Sequence, residues 1–146
     1  MDPALIGSHE SNLMDPARIR LIADMVYAKL GSGHNECVYQ KALLLELYNH
    51  GATSVESEKN VPVFYIDSRG VTHTVGTERI DLLVRTNEHV LLMEIKAHTA
   101  GIRDHMEIPQ LKKYVNSLRH LHITPDVSCV INFPQKQPFV MEYYFL

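Results

Sequence analysis

Two apolar runs, ERIDLLVR at 78–85 and HVLLMEIKA at 89–97, are separated by three residues, and no other feature constrains this chain so tightly. Runs that close pair as an antiparallel hairpin, and a two-residue loop at Asn87-Glu88 sets Asp81 directly opposite Glu94. Alternation along the second strand puts Leu91, Met93 and Ile95 on one side and Leu92, Glu94 and Lys96 on the other. Two carboxylates and a lysine thus converge on strands that are otherwise strongly apolar. Like charges opposed on a sheet destabilise it, and a carboxylate among apolar neighbours needs a partner or a proton. A divalent cation between Asp81 and Glu94 meets both needs, and hard oxygen ligands of this kind suit magnesium or manganese. Lys96 would then hold the attacking water or stabilise charge developing on phosphorus. The competing reading is a lysine ion-paired between two acids at a strand end.

The rest of the chain supplies a frame for this hairpin. ARIRLIADMVYAKL carries Ile19, Ile22, Met25, Val26 and Leu30 on one helical stripe, with Asp15 as N-cap, Pro16 in the first turn and Gly31 as the stop. A second helix, ECVYQKALLLELYNH, runs to Gly51, placed as its left-handed cap. VPVFYI and VTHTV read as further strands, with DSRG and GT as separators. Residues 103–121 return to helical spacing, with a start near Glu107 because Pro109 belongs in a first turn; VSCVINF and PFVMEYYFL close the chain as strands. The order ααβββαββ predicts an α/β domain, a sheet flanked by helices. Residues 1–14 lack periodicity and include Gly-Ser-His, so they read as a flexible arm or cloning remnant, with 15–146 as one domain.

Composition narrows the function. With 14 Lys+Arg against 17 Asp+Glu the chain carries a formal charge of -3, which excludes binding nucleic acid by bulk charge; any such role must come from a site. Cys37 and Cys129 are too few and too far apart for a disulfide framework or zinc knuckle, and read as two buried thiols of a reducing compartment. No apolar run reaches membrane-span length and the N-terminus lacks signal-peptide regions, so the reading is soluble and intracellular, cytoplasmic or nuclear, with no membrane partner. Nine histidines suggest metal, but only His120 and His122 have a ligand-like alternate spacing, at a helix end without further ligands. His98, two residues beyond Lys96, reads first as a hydrogen-bonded strand-end residue.

The motifs meet a family. Gly33, Glu36 and Tyr39 form a GxxExxY signature, followed in order by Ala42-Leu43, Glu46-Leu47, Gly51, Glu58, Pro62-Val63, Tyr65, Asp81 with Leu82-Leu83-Val84, Glu94-Ile95-Lys96-Ala97, Gln110-Leu111 with Tyr114, and Asn132-Phe133. Over about residues 16–140 this string resembles the GxxExxY family, a branch of the PD-(D/E)XK nuclease superfamily. The resemblance implies a restriction-endonuclease-like core, a central mixed sheet flanked by helices. It implies Asp81, Glu94 and Lys96 as catalytic residues and Glu36, Asp81, Glu94 and the Ile95 carbonyl as ligands of Mg2+ or Mn2+. Gln110 and Tyr114, as a QxxxY element, would orient the site or contact DNA; Lys113, within one turn of Gln110, and Tyr39 complete the substrate-binding candidates. The residue before Asp81 is Ile80, where the superfamily motif has proline.

Glu36 also stands out by spacing, since it shares a helical face with Tyr39, Leu43 and Leu47, the face that should pack on the sheet. The helix macrodipole alone would also favour an acid there. Glu58 reads as a solvated or paired surface acid. Lys41, Arg103, Lys112, Lys113 and Arg119 are the cations available to a backbone phosphate. The terminal strand, apolar on both faces, is expected either in the centre of the sheet or paired with a second copy as a homodimer. The resulting expectation is a metal-dependent nuclease that hydrolyses phosphodiesters with a metal-activated water, DNA ahead of RNA. The alternative is a catalytically silent nuclease-fold module acting in binding or assembly.

Overall fold

A computed structural model describes residues 13–146, and the expected arm at 1–12 lies outside the described residues. Leu13 and Met14, placed in that arm from sequence, belong to the packed chain: Leu13 is fully buried and Met14 packs against the same core. Helix α1 spans Pro16–Leu30, with Asp15 Oδ1 accepting from the Ala17 amide at 3.0 Å and Gly31 following at φ 69°. Helix α2 covers Glu36–Asn49. Strands β1 (Ser54–Ile66), β2 (Thr72–Arg85) and β3 (Val90–Lys96) follow, then α3 (Glu107–His120), β4 (Val127–Asn132) and β5 (Glu142–Phe145). The order is ααβββαββ, as expected, with VTHTV and ERIDLLVR, read as separate runs, joined in the one strand β2. No helix among the described residues is long and apolar enough to cross a membrane.

The five strands form one mixed sheet in the order β1-β2-β3-β4-β5. β3 is central and runs parallel to β4 through the α3 crossover, while every other pairing is antiparallel. α1 and α2 cover one face with Ile19, Ile22, Tyr39, Leu43 and Leu47 against Leu82, Met93 and Ile95. α3 covers the other with Leu111, Tyr114 and Leu118 against Leu83, Leu92 and Val130. β3 is therefore apolar on both sides, as a strand between two layers must be.

The strands depart from the expected boundaries where polarity hides them. β1 begins at Ser54, seven residues before VPVFYI, because its half-exposed first half pairs with β2 through charged residues rather than an apolar stripe. Gly76-Thr77, read as a separator, lies inside β2, and the register shifts nearby between Val63 and Phe64. β5 is neither central nor long: four residues form an edge, tied down by the Tyr143 hydroxyl bonding Asp24 and by Arg20 stacked over Tyr143 and Phe145. Of the two cysteines only Cys129 is buried; Cys37 falls on the solvent side of the first turn of α2.

Candidate active site

The hairpin register is the one the turn dictates: Thr86 donates to the His89 carbonyl across Asn87-Glu88, and Leu82 faces Met93. Regular pairing stops there. On the other side of β2, β1 pairs Ser57 with Leu82 and Lys59 with Ile80, passing over Glu58 and Asp81, and Glu58 sits at φ 54°. A left-handed backbone costs a non-glycine residue about 1–2 kcal/mol. The kink has a consequence for β2: Leu82 packs under α1 and α2 whereas Ile80 packs under α3, so alternation breaks at Asp81 itself.

Where the ladder ends, the two acids replace it. Asp81 Oδ2 accepts from the Ile95 amide at 2.7 Å, and Glu94 Oε1 accepts from the Asp81 amide at 3.0 Å. Each carboxylate thus satisfies one backbone donor, and each is drawn toward the other. Glu94 is 2% exposed. Burial, then the Asp81 charge, push its pKa up to about 8; burial raises Asp81 as well, with Glu36 adding to it and the Ile95 amide and Lys96 opposing. Near neutral pH the pair accordingly holds a proton. Lys96 lowers both pKa values through its charge, yet among the described residues no ion pair joins it to either acid. The lysine instead lines a groove of about 400 Å³ together with Gln110 and Lys113.

Glu36, in the first turn of α2, is half-buried and close enough for its charge to raise Asp81. One turn on, Gln40 Nε2 donates to the Asp81 carbonyl at 2.8 Å, a clamp that sequence reasoning missed because a glutamine on the packed face of α2 carries no pattern of its own. Tyr39 is corrected: with no exposed surface it reaches no substrate. Its ring stacks on Phe133 at 4.4 Å, its hydroxyl donates to the Gly31 carbonyl, and Gln135 donates to it. Tyr39 holds the α1–α2 turn that carries Glu36. Tyr114 is also nearly buried, at 3%, under the acids; burial and the Glu94 charge raise its hydroxyl's pKa. Of the QxxxY pair, then, Gln110 faces the groove and Tyr114 faces the carboxylates.

A sequence model of the PD-(D/E)XK nuclease superfamily matches residues 16–141. The chain belongs to that superfamily. The mixed sheet between helices is the restriction-endonuclease-like fold of this PD-(D/E)XK protein, and the matched span includes Asp81 and Glu94-Ile95-Lys96. A solved structure titled "Crystal structure of SSO0001" aligns with 93% of this chain and 54% of its own, at 15% identity and a TM-score of 0.47. The chain therefore spans about half the length of that protein. No curated protein matches it.

Among the described residues no three His, Cys, Asp or Glu side chains close into a metal-ligand cluster. The donors present are one buried carboxylate, Glu94, and one half-buried, Asp81, and magnesium typically takes one or two from the protein and keeps its waters. A pair that must hold a proton when alone is one that a divalent cation relieves.

Proposed function

We propose that this PD-(D/E)XK protein is a divalent-cation-dependent nuclease that hydrolyses phosphodiesters of nucleic acid, with DNA ahead of RNA as substrate. The observation that carries the reading is the Asp81–Glu94 pair, Glu94 buried and Asp81 half-buried, both with raised pKa values and neither in an ion pair among the described residues, beside a groove lined by Lys96. Asp81, Glu94, the Ile95 carbonyl and Glu36 would hold the cation, Mg2+ or Mn2+, which when bound supplies positive charge to the phosphate. Lys96 steadies the charge that grows on the phosphoryl oxygens as water adds to phosphorus and the bond to the leaving oxygen breaks. Gln40 keeps the Asp81 backbone from moving as that charge changes, and Tyr114 closes the site from below. Kinship with the GxxExxY branch rests on the motif string itself.

The test is incubation of the purified chain with single-stranded, duplex and branched DNA and with RNA, in magnesium or manganese. Cleavage is expected, and Asp81→Ala and Lys96→Ala should abolish it. Activity that survives either substitution overturns the assignment. Thermal unfolding with and without manganese separates an enzyme from a silent module, because a ligand bound only by the native state raises the midpoint.

A further inference from the structure

The loop between β3 and α3 is held by two buried polar residues that the hydrolytic site does not use. Asn132, 1% exposed, accepts from the His98 amide at 2.8 Å and donates to the His98 carbonyl at 3.2 Å. Glu107, 2% exposed, accepts from the Arg103 amide at 2.9 Å, from Nε at 3.2 Å and from Nη2 at 2.9 Å, and lies 3.3 Å from His98 Nε2. The same loop is pressed against β5 at Gly101, φ 76°, where a Cβ would run into the Glu142 carboxylate. A surface loop needs none of this for its own sake. What it achieves is a guanidinium fixed in one orientation, one-third exposed, with Nη2 also 3.4 Å from His98 Nε2 and Nη1 making no hydrogen bond among the described residues.

That guanidinium lines the groove that already holds Lys96, with His98, Gln110 and Lys113 around it. A planar fork locked by a buried carboxylate along one edge, with Nη1 left unbonded, recognises an oxyanion with little entropy left to lose. We infer that Arg103, oriented by Glu107 and seconded by Lys113, binds a backbone phosphate of the nucleic-acid strand next to the one that reacts. The inference rests on the nuclease reading for the identity of the strand but not for the chemistry of the anion. Arg103 touches substrate; Glu107 is a positioning residue that acts through it.

The test is fluorescence anisotropy of labelled single-stranded and duplex DNA and of RNA, with the whole chain in EDTA so that nothing is cut. Arg103→Gln is expected to weaken binding and to reduce the slope of log K against log salt by about 0.7–0.9, the loss of one phosphate contact. Lys113→Ala should do the same, whereas Lys29→Ala, on α1 across the sheet, should not. Because Arg103→Gln leaves the Glu107 carboxylate stranded, Arg103→Gln/Glu107→Gln repeats the measurement in a chain with neither charge. Glu107→Gln alone keeps the cation and loosens it, so affinity falls while the slope holds, a split that mere unfolding does not produce. Unchanged slopes in both Arg103 variants, or a parent chain that shows no salt-dependent binding, overturn the inference. Asp81-dependent cleavage with slopes indifferent to Arg103 refutes this inference alone; slopes that fall in a chain that never cleaves refute the nuclease reading alone.

Discussion

Glu94 and Glu107 are equally hidden, each 2% exposed, and their surroundings drive their protons in opposite directions. Burial raises the pKa of both. At Glu94 the nearest charge is Asp81, which adds to the effect and carries the group to about 8. At Glu107 the hydrogen bonds from Arg103 outweigh burial and hold the group below its ordinary range. Burial therefore sets the stakes and the partner decides the outcome. One carboxylate has its ion-pair partner four residues away on the same chain; the other has none among the described residues and feels the Lys96 charge only from a distance.

The largest effect expected from breaking this contrast is on cleavage. Glu94→Gln keeps an oxygen for the Asp81 amide but removes the charge, and should reduce cleavage at least about 100-fold while leaving the native fold intact; the assay is turnover in magnesium, with circular dichroism as the control. Next comes the satisfied acid. Arg103→Ala leaves Glu107 buried without its cation and should cost about 2–4 kcal/mol in urea unfolding, toward the low end because Arg103 is one-third exposed. Arg103→Gln/Glu107→Gln should recover much of it.

A third test uses pH. Glu94 has a folded pKa raised above its ordinary 4.5, so its native form keeps a proton that the unfolded chain has released. Metal-free stability should therefore fall from pH 4.5 to about 8, by at most about 1.4 kcal/mol per pH unit, and level off above. Glu107, lowered, has the opposite sign: its contribution is present above its ordinary value of 4.5 and is lost as pH falls through its native pKa. Thermal midpoints across pH should show Glu94→Gln flattening the alkaline limb and Glu107→Gln the acid one. The smallest effect is at Gln40. Gln40→Ala leaves the Asp81 carbonyl without its bond and should cost about 1–2 kcal/mol by urea unfolding.

The two acids also differ in how legible they were. Asp81 and Glu94 could be read because a two-residue turn fixes the register, which the strands follow as far as Leu82–Met93; beyond it β2 loses its alternation, and the two acids meet through each other's neighbouring backbone amides instead. Glu107 looked like any first-turn acid at a helix start. Only the path of the loop before it, which brings Arg103 back over it, makes it a buried ion pair. The charged half of β1 was invisible for a related reason, since an edge strand paired through polar residues has no apolar period to detect. Tyr39 went the other way. Its place in a motif suggested contact with substrate, whereas its ring packs on Phe133 and its hydroxyl closes a turn.

The short turn at Asn87-Glu88 also bears on how the molecule folds. Closing a single hairpin is a local event, on the order of microseconds, and a turn this short would bring Asp81 to Glu94 ahead of the distant segments. The crossover helix and β4 then have to assemble over a pair of acids that already repel. On that order of events a proton taken up by the pair would lower the barrier, and refolding, followed by stopped-flow fluorescence of the tyrosines without metal, should slow as pH rises from 6 to 9. Divalent cation should restore the speed, which would make the Asp81–Glu94 pair an aid to folding.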